Sequence, residues 1–66
     1  MNEENETKIN ETLEQGKKIL LIEDDKTLSQ VISGELEKVG FVMKQAFSGD
    51  DGLRMVRSEK PDLILK

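Results

Sequence analysis

The apolar residues of the chain change period along its length, and each change marks an element. Ile19, Leu20, Leu21 and Ile22 form an unbroken apolar run between Lys17–Lys18 and Glu23–Asp24–Asp25. Without polar alternation, such a run suits a strand covered on both faces, as in parallel sheets. It predicts a strand that delivers three carboxylates at its C-terminal end and needs a helix on each side. Leu28, Val31, Ile32, Leu36 and Val39 then recur at helical spacing, with Ser29, Gln30, Ser33, Glu35 and Lys38 on the other side. Gly40 closes this helix by offering a left-handed C′ position. Phe41 to Phe47 reads as a second strand, in which polar Lys44 and Gln45 argue for an edge. A shorter helix with Leu53, Met55 and Val56 on its apolar side follows Ser48, and Pro61 stops it near Lys60. Asp62 to Leu65 opens a third strand, giving the order β-α-β-α-β.

Several polar residues read as boundary signals. Asp25 precedes the first helical pattern, where a short oxygen side chain accepts an orphan N–H as an N-cap. A start at Thr27, with Gln30 three residues later, fits a capping box equally well. Ser48 with Asp51 caps the second helix, and Asp50 and Asp51 suit the positive end of its dipole. Gly49 is a turn residue, whereas Gly52 lowers helix propensity. Neither G-x-G-x-x-G nor G-x-x-x-x-G-K-[ST] occurs, so nucleotide binding has no support from a phosphate loop.

Composition narrows the class further. The 66 residues carry a net charge of −4, and without a basic patch nucleic-acid binding by this segment is not expected. The excess acidity belongs to Met1–Gln15, where five glutamates face one lysine; from Gly16 onward nine acids balance nine bases. Residues 1–16 are therefore expected to be an acidic, solvated and disordered leader, although Ile9 and Leu13, four apart, allow a short helix or a loose contact. The longest apolar run is four residues, which predicts no membrane span and no signal peptide and points to the cytoplasm. There is no cysteine to form disulfides and no histidine to supply zinc spacings. A domain of this length buries only about 60% of its unfolded surface, so folding alone is expected to be marginal.

Taken together, KILLIEDD, the amphipathic helix closed by VGF, AFSGDDGL and PDLIL resemble the N-terminal half of the receiver domain of bacterial response regulators. The resemblance covers residues 17–66. It implies a two-component signalling module, not an enzyme, that receives a phosphoryl group from a histidine kinase onto an aspartate with bound Mg²⁺. It also implies a partial flavodoxin-like, doubly wound parallel sheet in strand order 2-1-3, truncated in or after the third strand. Glu23 and Asp24 match the family's metal-holding acid pair. Physical chemistry gives a parallel reason, since Mg²⁺ takes hard oxygens and commonly one or two carboxylates, and open α/β sheets bind ligands at the C-terminal ends of strands.

In the family, PDLIL is followed by one residue and then the acceptor aspartate, which would come directly after Lys66. Asp62 is no substitute, because five positions along a strand separate it from that site by about 16 Å. The expectation is a receiver fragment that lacks its acceptor, with no catalytic residue of its own and weak or absent Mg²⁺ binding. Lys66 is expected to bring its ammonium near Glu23 and Asp24. A non-phosphorylated interaction module is the alternative, self-associating or pairing with a complementary half-domain through an open sheet edge. A fragment of a nucleotide- or cofactor-binding α/β enzyme is weaker, for want of a phosphate loop or nucleophile. The expected core is Ile19, Leu21, Leu28, Val31, Ile32, Leu36, Val56, Leu63 and Leu65.

Overall fold

The computed structural model describes residues 16–66, so the expected leader falls outside the described residues apart from Gly16. The elements are β1 (Lys18–Ile22), α1 (Lys26–Lys38), β2 (Val42–Ala46), α2 (Gly49–Glu59) and β3 (Leu63–Leu65). All pairings are parallel and the order is β2-β1-β3, as the sequence pattern predicts. β1 is the central strand, and Ile19, Leu20 and Leu21 are buried. The two faces of β2 show how the helices are distributed, because successive residues of a strand point to opposite sides. Gln45 accepts a hydrogen bond from the Ser29 hydroxyl of α1 at 2.7 Å. Next to it, the Lys44 ammonium lies 3.8 Å from Glu59 at the end of α2. One helix therefore covers each face.

The helix ends follow their sequence signals. Asp25 is the N-cap of α1, accepting from the Leu28 N–H at 3.0 Å, and the alternative start at Thr27 is not used. The C-terminal end of α1 closes as a Schellman motif: Gly40, with φ 105°, donates to the Glu37 carbonyl and Phe41 to that of Leu36. Ser48 caps α2 by accepting from the Asp51 N–H at 3.1 Å. At the other end of α2, Lys60 takes a left-handed conformation with φ 50° immediately before Pro61.

The face of α1 is a correction to the sequence pattern. Leu28 and Val31, expected in the core, are 44% and 57% exposed, whereas Ser29 and Ser33, expected in solvent, are buried. The buried stripe is Ser29, Ile32, Ser33 and Leu36, with the two leucine-class side chains half-buried. It is turned from the apolar stripe by somewhat less than one residue's rotation of about 100°. Small side chains let a helix axis approach a sheet, and the Ser29–Gln45 bond satisfies one of the hydroxyls there. Ser33 Oγ is buried without a partner.

A second correction concerns β3. Leu63 is 51% exposed instead of buried, because neither helix packs on β3. Leu65 and Val56 are half-buried, and Ala46 and Gly52 join the buried set. Gly52 has a packing role as well as its helix cost: a Cβ there would stand 2.5 Å from Ile22 Cδ1 and 2.9 Å from Ile22 Cγ1. Its lack of a side chain lets α2 lie on the end of β1.

Two stability predictions follow from these contacts, both measurable by urea unfolding. Ser33→Ala removes a buried, unpartnered hydroxyl and improves helix propensity, and is expected to stabilise the chain by about 1 kcal/mol. Gly52→Ala is expected to destabilise by about 1 kcal/mol through overpacking on Ile22. In an Ile22→Ala background, which removes both Cδ1 and Cγ1, the same substitution is expected to become neutral or stabilising as the helix propensity gain of about 1 kcal/mol emerges.

Candidate functional site

The C-terminal edge of the sheet gathers the acids. Leaving β1, the Glu23 N–H continues the ladder by donating to the Ala46 carbonyl at 2.9 Å, which fixes the backbone where the strand ends. Glu23 is half-buried, and its Oε2 accepts from the Asp25 N–H at 3.0 Å. Asp25 in turn spends Oδ1 on the cap of α1. Asp24, between them, is exposed, and among the described residues its carboxylate enters no ion pair. The three consecutive acids thus have different tasks. Asp25 starts the helix, Glu23 braces the loop with one oxygen and keeps the other, and Asp24 keeps both.

Glu23 and Asp24 are adjacent at the C-terminal end of the central strand, as expected. Among the described residues no group of three or more Asp, Glu, His or Cys is placed to hold a metal ion. The two carboxylates are hard oxygen donors in the number Mg²⁺ commonly accepts from protein, the remaining positions going to water and phosphate. Lys66 forms no ion pair with either acid among the described residues, contrary to the expected contact. The register pairs Leu21 with Leu65, so the backbone of Lys66 is level with Ile22, one position short of Glu23.

Asp62 lies at the opposite end of the sheet and has a structural task there. Its Oδ2 accepts from the Lys18 N–H at 2.7 Å, and its own N–H donates to the Lys18 carbonyl at 2.7 Å. The Lys18 ammonium donates to the Glu59 carbonyl at 2.8 Å and stands 3.5 Å from the Glu59 carboxylate. The start of β1 is thereby tied to the end of α2 and the start of β3, well away from the acids.

Two contacts near the site had no signal in the sequence. The Lys26 ammonium sits over the Phe47 ring, 5.3 Å from its centroid, and joins the first turn of α1 to the end of β2. The Ser29–Gln45 hydrogen bond joins the same two elements deeper in the fold. Both link residues far apart along the chain, which periodicity does not register.

Comparison with known proteins bears on the whole unit. The chain is 40% identical over 47 residues to transcriptional regulatory protein AfsQ1 of Streptomyces coelicolor, covering 71% of this chain and 21% of that protein. It is 37% identical over 46 residues to the uncharacterised transcriptional regulatory protein YcbL of Bacillus subtilis, covering 70% and 20%. Alkaline phosphatase synthesis transcriptional regulatory protein PhoP of Bacillus subtilis is 35% identical over 49 residues, covering 74% and 20%. The match spans about a fifth of the length of these curated relatives. No family model matches the chain, and no solved structure matches it. No helix among the described residues is long and apolar enough to cross a membrane.

The division of tasks among the three acids has a measurable consequence. Asp25→Ala is expected to cost about 1 kcal/mol in urea unfolding through loss of the α1 cap. Asp24→Ala, at an exposed site outside any cap, is expected to stay within about 0.5 kcal/mol of the unsubstituted chain.

Proposed function

We propose, from the premise that this chain is a homologue of response regulators built as the first three strands of their receiver fold, that it is the N-terminal portion of a phosphoryl-accepting signalling module. Glu23 and Asp24 are the proposed Mg²⁺-holding residues. The observation that carries this is their position at the C-terminal end of a central parallel strand whose neighbours are β2 and β3. That end of an open α/β sheet, at the reversal of strand order, is where such folds bind ligands. Bound there, Mg²⁺ would supply charge neutralisation to a phosphoryl group. The chain's own part is to hold Glu23 and Asp24 still, through the Glu23–Ala46 and Asp25–Glu23 hydrogen bonds.

The register supports the rest of the reading. Continuing β3 in register beyond Leu21–Leu65, the position after Lys66 falls opposite Glu23, on a strand about 4.8 Å away. An aspartate there, as the family pattern has it, would stand beside the acid pair. Asp62 does not serve, being bound to Lys18 at the far end. The 66 residues therefore hold the metal side of the site without the acceptor. In the longer protein the phosphoryl donor would be a histidine kinase in the cytoplasm, and the module would relay a signal in place of turning over a substrate.

Two measurements test this. With acetyl phosphate and Mg²⁺, the intact mass of the 66-residue chain is expected to stay unchanged, whereas a chain extended through the acceptor position and the rest of the domain gains one phosphoryl group. A stable aspartyl-phosphate on the short chain would overturn the proposal. In an NMR titration with Mg²⁺, the amide signals of Glu23 and Asp24 are expected to shift with weak, millimolar saturation, and the shift to disappear in Glu23→Gln/Asp24→Asn.

A further inference from the structure

Lys26 follows the acids directly, one residue after Asp25, two after Asp24 and three after Glu23. Consecutive Cα atoms lie about 3.8 Å apart, so those of Asp24 and Lys26 are separated by at most about 7.6 Å, within reach of a flexible four-carbon stem. Yet among the described residues the Lys26 ammonium enters no ion pair, and neither does the Asp24 carboxylate. The ammonium lies instead over the Phe47 ring, 5.3 Å from its centroid, inside the range at which the negative face of an aromatic ring attracts a cation.

The ring is held by the same contacts that build the site. Phe47 follows Ala46, which pairs with Ile22 and whose carbonyl accepts from the Glu23 N–H, and it precedes Ser48, the N-cap of α2. It is therefore fixed between the end of β2 and the start of α2, half-buried, on the connection next to the acids. Lys26 is the first residue of α1, so its backbone is set by the Asp25 cap while its exposed side chain can turn either to the ring or to the acids. At exposed sites a cation–π contact and a surface ion pair are of similar strength. The ring thus competes with the carboxylates for the ammonium.

We propose that Phe47 is a positioning residue for the acid pair, holding the Lys26 ammonium away from Asp24 and leaving that carboxylate's oxygens to a divalent cation. An ammonium on Asp24 would occupy an oxygen that Mg²⁺ takes and would set a like charge beside the metal. A site with two protein carboxylates has no ligand to spare. Because the two partners of the ammonium are of similar strength, loss of the ring shifts its distribution toward the acids by a few-fold and no more. The inference rests on the reading of Glu23 and Asp24 as the Mg²⁺-holding residues, and adds to it the neighbour that keeps them available.

The test uses the 66-residue chain and two NMR readouts. Without Mg²⁺, the Lys26 Hε signals are expected upfield of those of the other lysines through the ring current, and to return to the common position in Phe47→Leu, which keeps apolar bulk without a ring face. With Mg²⁺ added from about 0.1 mM to about 50 mM, a range suited to two carboxylates, Phe47→Leu is expected to weaken the affinity read from the Glu23 and Asp24 amides about threefold, and Phe47→Tyr to keep it. In a Lys26→Met background, where there is no ammonium to release, Phe47→Leu is expected to change the affinity by less than about 1.5-fold. Lys26 Hε signals at the common lysine position in the unsubstituted chain would overturn the proposal. So would an affinity that Phe47→Leu leaves unchanged, or lowers equally with and without Lys26, since the ring would then act on the loop and not through the ammonium. An unsubstituted chain without any Mg²⁺-dependent shift at Glu23 or Asp24 is a separate result, which overturns the metal reading and this inference with it.

Discussion

The burial of β1 on both faces is the constraint on which the rest of the unit depends. A strand with Ile19, Leu20 and Leu21 all buried has no solvent face, so it must be central and must have cover above and below. The two crossovers supply it, one helix to each face, as the opposite partners of Lys44 and Gln45 show. A central strand with parallel neighbours then has its C-terminal end flanked by loops, and whatever residues follow it are presented there. In this chain those residues are Glu23, Asp24 and Asp25.

Structure and site share parts at that end. Asp25 fixes the start of α1 and also donates its N–H to Glu23, so the cap that begins the helix braces a candidate ligand. Ile22, one residue earlier, is the side chain that Gly52 admits, which brings α2 onto the last residue of β1. The opposite end of the sheet is organised by charge instead, with Lys18, Glu59 and Asp62 joining β1, α2 and β3. These pairs are partly exposed, and such bridges individually contribute little. Their value lies in holding register where the apolar cover is thinnest.

Cover is uneven across the sheet. The helices pack on β1 and β2, and β3 is held by β1 alone. The same imbalance appears on α1, whose Leu28 and Val31 face away from the core. Apolar surface left open in this way is costly in water, and it lies on β3, on one side of α1, at Val42 of β2 and at Leu53 of α2, which the sequence pattern had placed on that helix's apolar side.

The sequence by itself determined the element order, the parallel arrangement around β1, the edge position of β2 and the caps at Gly40 and Ser48, and it narrowed the start of α1 to Asp25 or Thr27. Each is local: a run of four apolar residues, a helical period, or a side chain within reach of its own backbone. It also determined that Glu23 and Asp24 end the central strand, because that needs only the strand's boundary and its central place. The tertiary structure decided which face of α1 is buried, setting Ser29 and Ser33 against the sheet in place of Leu28 and Val31, with Ser29 bonded to Gln45. It decided that Gly52 is a packing residue, since Ile22 meets it only across the fold. The exposure of Leu63 was decided there too, for burial depends on what lies over a strand, and a chain's own pattern records the residues that could be covered without recording what covers them.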